Sequence, residues 1–81
     1  MNQFILYGTL GCHLCDEAEA SLIPLLSSEL SIEYIDISES DQLIEQYGEL
    51  IPVLRRLRDD AELRWPFDAT QAQMFLSMLN G

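Results

Sequence analysis

The chain reads as an α/β protein, a four-stranded mixed sheet flanked by three helices in the order β-α-β-α-β-β-α. Three observations predict it. Apolar runs at residues 3–7 and 32–37 bracket a helical pattern, as in a β-α-β unit with parallel strands and a right-handed crossover. Runs at 53–57 and 61–65 are separated only by a polar turn around Asp59-Asp60, as in an antiparallel hairpin. In the first run both alternations are apolar (Phe4, Leu6 and Ile5, Tyr7), which suits a strand covered by helices on both faces.

Each helix has its own signals. From residue 13 to about residue 30, Leu14, Ala18, Leu22, Leu25 and Leu26 recur at helical spacing. Pro24 interrupts that pattern and is expected to kink the helix, because it removes the bond to Ala20. The cluster at 38–41 offers an N-cap for a short helix whose apolar face is Leu43, Ile44 and Tyr47, with Gly48 placed to end it. Asp68 followed three residues later by Gln71 resembles a capping box for a last helix. That helix carries Ala72, Phe75, Leu76 and Leu79 on one face. No repeat or linker divides the sequence, so residues 1–81 are expected to form one domain.

Composition narrows the function. Fourteen acidic residues oppose four arginines and no lysine, giving a net charge of −10. Such a surface repels nucleic acid and anionic membrane, so neither is expected as a partner. No apolar stretch approaches the roughly 20 residues a spanning helix needs. The Met1-Asn2-Gln3 start has no basic residue and the apolar run after it is too short for a secretory signal, so a cytoplasmic protein, and a monomer, is expected.

All four arginines (Arg55, Arg56, Arg58 and Arg64) fall within ten positions, and they are expected to be solvated charge on the hairpin.

The two cysteines carry the chemistry. Both lie in Cys12-His13-Leu14-Cys15, between the first apolar run and the first helical pattern, with Gly8-Thr9-Leu10-Gly11 as the turn before them. A thiol at a helix start meets unpaired N–H groups and the positive end of the helix dipole, and both favour thiolate. Thiolate is the species that attacks disulfides. Cys12 is therefore the expected nucleophile, and Cys15, one turn on, the expected resolving thiol. A protonated His13 would help Cys12 ionise, whereas Asp16, Glu17 and Glu19 would oppose it. Each exposed charge is worth about 1 kcal/mol or less, and the dipole roughly 0.3–1 kcal/mol. Only a modest lowering of the Cys12 pKa is expected. A rival reading uses Cys12, Cys15 and His13 in a zinc or iron–sulfur centre bridging a dimer, since one chain supplies too few ligands to close a tetrahedron. No metal is expected in the single chain.

The run Tyr7-Gly8-Thr9-Leu10-Gly11-Cys12-His13-Leu14-Cys15, with the later Ile51-Pro52-Val53, resembles the glutaredoxins and other small proteins of thioredoxin-like fold, above all the short bacterial glutaredoxin-like proteins. The resemblance implies thiol–disulfide exchange with a disulfide-containing protein or a small thiol as partner. It implies a cis peptide before Pro52, beside the cysteines, with the Ile51 backbone free to pair with a bound substrate. Leu10, Gly11, His13, Ile51 and Pro52 would then line the substrate groove, and Asp68 would match the acidic residue that caps a helix at the family's glutathione site. Two departures argue against glutathione as a cofactor. Thr9 and Leu10 stand where a basic residue is common, and Trp65-Pro66-Phe67 replaces a Gly-Gly pair.

Overall fold

The computed structural model describes residues 3–26 and 30–77. Strands β1 (Phe4–Gly8), β2 (Ile32–Asp36), β3 (Val53–Arg56) and β4 (Ala61–Arg64) form one sheet in the order β2-β1-β3-β4. Helices are α1 (His13–Leu22), α2 (Asp41–Tyr47) and α3 (Ala69–Ser77). The β1–β2 pair is parallel, and β3 runs antiparallel to both β1 and β4. This is the mixed α/β architecture that the order of elements predicts.

Alternation along β1 divides the core in two. Phe4 and Leu6 join Leu54, Ala18 and Leu22 of α1, and Ala72 and Leu76 of α3. Tyr7 on the opposite face joins Val53, Ile37 and Tyr47 of α2. Phe4, Leu6 and Leu54 are almost fully buried, and each such side chain contributes about 1.5–3 kcal/mol through removal from water.

Several boundaries differ from expectation. The first helix stops at Leu22, and Pro24 lies in a separate 3-10 turn, Ile23–Leu25, instead of kinking a longer helix. Proline suits the first turn of a helical segment, where its missing N–H is no loss. Residues 27–29 of the expected helix lie outside the described residues. Cys15, Ala18 and Leu22 form the buried stripe of α1, whereas Leu14 and Leu26 are exposed. Strand β2 stops at Asp36 because the Asp36 side chain accepts from the Ser38 N–H at 2.9 Å and opens a 3-10 turn, leaving Ile37 buried there. The hairpin strands each end one residue early, at Arg56 and Arg64.

On α2, Ser40 is the N-cap and Gly48 the C-cap, but Ile44 of the expected apolar face is exposed. The capping box of α3 forms reciprocally: the Gln71 N–H donates to Asp68 Oδ1 at 2.7 Å, and the Asp68 N–H donates to Gln71 Oε1 at 3.0 Å. Ala72 and Leu76 are buried on that helix and Phe75 is half-buried, while Leu79 lies outside the described residues.

The arginines are not all solvated. Arg56 is buried, on the same sheet face as Phe4, with which it is paired. Its guanidinium lies 4.6 Å from the centroid of the Phe75 ring and donates to the Phe75 carbonyl and to both oxygens of Asp59. On the other face, Arg55 donates to Asp60 at 2.7 Å and to the Tyr7 hydroxyl at 3.3 Å. Tyr7 stacks on Tyr47, whose hydroxyl donates to Glu62 at 2.7 Å.

Candidate active site

Register brings four segments to one end of the sheet. Gly8 pairs with Asp36 at the end of β2, and Tyr7 pairs with Val53, the first residue of β3. The Trp65 N–H, just after β4, donates to the Pro52 carbonyl at 3.3 Å. The turn that leads to the cysteines, the loop before β3 and the exit of β4 therefore share this end. In open α/β sheets, sites gather at the carboxyl ends of strands, where β1 and β2 finish here.

Local backbone sets the cysteines. Gly11 has φ +81°, a conformation that favours glycine, and the Cys12 N–H donates back across the turn to the Thr9 carbonyl at 3.3 Å. Cys12 is the N-cap of α1, in extended conformation, and its sulfur accepts from the Cys15 N–H at 3.1 Å. The side chain that stands in the place of a capping oxygen is thus the expected nucleophile, which aims its sulfur at an N–H with no partner inside the helix. Cys12 and Cys15 are joined in a disulfide, with Cα atoms 5.2 Å apart. Cys12 is half-buried, and Cys15 is fully buried on the inner face of α1.

The other expected site residues divide. Leu10 is 86% exposed and stands next to the cysteine turn, with Gly11 exposed beside it. His13 is exposed, and its Nε2 lies 3.2 Å from the Glu17 carboxylate, one turn along α1. A charge on His13 is therefore shared with Glu17. The peptide bonds before Pro52 and Pro66 are both cis. Pro52 is buried, while Leu50 is exposed and Ile51 partly so. The Ile51 backbone is not wholly free as expected: its N–H donates to the Tyr47 carbonyl at 3.1 Å, which satisfies a carbonyl at the end of α2. The Asp68 carboxylate is engaged in capping α3.

Asp36 stands at the same end of the sheet, at the end of β2. The Ser38 N–H and hydroxyl, and then the Thr9 hydroxyl and the Leu10 N–H, hold its carboxyl below the usual range. It thereby ties the end of β2 to the turn before Cys12. Its only mark in the sequence is an acid that ends an apolar run. Trp65 is half-buried and packs edge-on against Phe67, with ring centroids 5.2 Å apart. Among the described residues, no group of three or more His, Cys, Asp or Glu side chains is placed to hold a metal ion. Nor is any helix among them long and apolar enough to cross a membrane.

The sequence matches the family model of a glutaredoxin-like domain (DUF836) over residues 3–77. Its fold is similar to the crystal structure of protein XcR50 from X. campestris, at 33% identity and TM-score 0.81, over 93% of this chain and 96% of that one. It is also similar to the solution structure of protein Ne2328 from Nitrosomonas europaea, at 34% identity and TM-score 0.73, over 91% of this chain and 89% of that one. A search of the curated proteins finds no match.

Proposed function

Because the chain belongs to the glutaredoxin-like domain family, we propose that it is a thiol–disulfide oxidoreductase that passes electrons to disulfides of proteins or small molecules. One observation carries the reading: the Cys12–Cys15 disulfide closes across the first turn of α1, with Cys12 as its N-cap. In the reduced form the Cys15 N–H that reaches Cys12 sulfur favours thiolate there. That thiolate attacks a substrate disulfide, forms a mixed disulfide on Cys12 and expels one substrate thiolate. Cys15 loses its proton and attacks Cys12. The Cys12–Cys15 bond forms, the second substrate sulfur leaves as thiolate, and both leaving groups take protons from water. Two electrons pass from the dithiol to the substrate.

Leu10, Gly11, His13 and Ile51 offer the surface against which a partner would lie. Glutathione finds no basic residue at Thr9 or Leu10 to hold a carboxylate, and the Asp68 carboxylate is already engaged in the cap. The reading therefore favours a disulfide substrate over bound glutathione.

Separate cysteine replacements test it. Cys15→Ser should accumulate mixed disulfides on Cys12, read by mass spectrometry, and Cys12→Ser should not. Equal trapping by both variants would sink the assignment of roles. A pair of thiols that stays reduced across a series of glutathione redox buffers would sink the oxidoreductase reading itself.

A further inference from the structure

The resolving thiol is buried and must ionise where ionisation is hard. Cys15 is fully removed from water, and burial disfavours a thiolate. Tyr34 comes from the edge strand to meet it. It pairs with Leu6 on the α1 face of the sheet, and its ring runs toward the end of β1. A β-carbon placed on Gly8 would stand 2.5 Å from the Tyr34 hydroxyl oxygen and 3.2 Å from the Cys15 β-carbon. The phenol hydroxyl and the Cys15 β-carbon therefore both lie against the bare backbone of Gly8, in the space that a side chain at position 8 would fill.

The phenol is well suited to donate. Burial, and then the carboxylates of Asp36 on β2 and of Glu19 and Asp16 on α1, push its pKa up, so it keeps its proton at neutral pH. The same three carboxylates would oppose a negative charge on a nearby sulfur, which makes a neutral O–H donor there more consequential.

We propose that Tyr34 is a positioning residue for the resolving step: in the reduced protein its hydroxyl donates to the Cys15 sulfur and favours the thiolate. This rests on the oxidoreductase reading for its part in turnover, though not for the pairing itself. In the mixed disulfide, the Cys15 proton goes to solvent and the Tyr34 O–H stays intact. The Cys15 thiolate then attacks Cys12 sulfur, the Cys12–Cys15 bond forms, and the bond from Cys12 to the substrate breaks. The substrate leaves as thiolate and takes a proton from water, with two electrons transferred to it.

Tyr34→Phe removes one oxygen and keeps the ring, which is part-exposed at the sheet edge. The reduced protein is titrated by the NMR shift of the Cys15 β-carbon, and decay of a mixed disulfide on Cys12 is followed in single turnover. In Tyr34→Phe the Cys15 titration midpoint should move upward. Resolution at pH 7 should slow about threefold: loss of one hydrogen bond to a charged group cuts the thiolate fraction about tenfold, the greater nucleophilicity of the less stabilised sulfur offsets part of that, and the first attack by Cys12 keeps its rate. An unchanged Cys15 midpoint in the variant overturns the proposal, even if turnover falls. If the midpoint moves but the wild-type protein does not cycle with disulfides, the pairing stands and the oxidoreductase reading alone falls.

Discussion

Arg56 stands in the core because its charge is met on every side that water would otherwise cover. Asp59 accepts two of its hydrogen bonds, at 2.9 and 2.7 Å, the Phe75 carbonyl a third, and the Phe75 ring takes its face. The bond from Arg56, supported by the Ala61 N–H, holds the Asp59 carboxyl at about 2, against an ordinary value of 3.8. Between those two values the unfolded chain binds a proton that the folded chain does not, so this contribution to stability falls as pH falls through the window. Urea denaturation of wild type and Asp59→Asn should therefore show a gap in midpoint that is full above pH 3.8, shrinks below it, and is gone below about 2. A gap that stays constant down to pH 2 would refute this account. The cysteines were legible in the sequence because their chemistry depends on spacing within one turn. Arg56 and Tyr34 were not, because burial of the first and reach of the second depend on strand register, which pairs them with Phe4 and Leu6.

Element boundaries were legible where the signal is local. Asp68 and Gln71 satisfy each other's N–H groups across one turn, so the start of α3 could be read from two residues. Pro24 was ambiguous because proline both breaks a helix and begins one, and nothing within the turn itself decides between them. The end of β2 depended on Asp36 turning to the Ser38 N–H in place of continuing the strand, a competition that residue type alone does not resolve. The cap on α3 gives a test at this scale. Asp68→Ala should cost about 1 kcal/mol, read as a lower urea midpoint, while the rate of disulfide exchange stays as in wild type. Loss of exchange activity with unchanged stability would instead assign Asp68 to the substrate site, where the family resemblance would put it.

At the scale of the molecule, two facts meet at the sheet end that holds the cysteines. The order of elements was legible because a β-α-β start and a closing hairpin leave few ways to build one sheet. Which loops then share an end follows from pairing Tyr7 with Val53 and Gly8 with Asp36, and that no single segment reveals. The second fact is charge. A chain of net charge −10 surrounds this site with a field that selects among disulfides before any contact forms. A cationic disulfide such as cystamine should react faster than the anionic oxidised glutathione, each rate being referred to that of the same disulfide with a small neutral dithiol. At about 10 mM salt, where the Debye length is roughly 30 Å, the preference should be about tenfold. At about 1 M salt, where that length is roughly 3 Å, it should collapse toward unity. A preference that survives high salt would mean that direct contacts at the groove choose the substrate. A preference for glutathione at every salt concentration would mean that the chain holds the tripeptide despite its own charge.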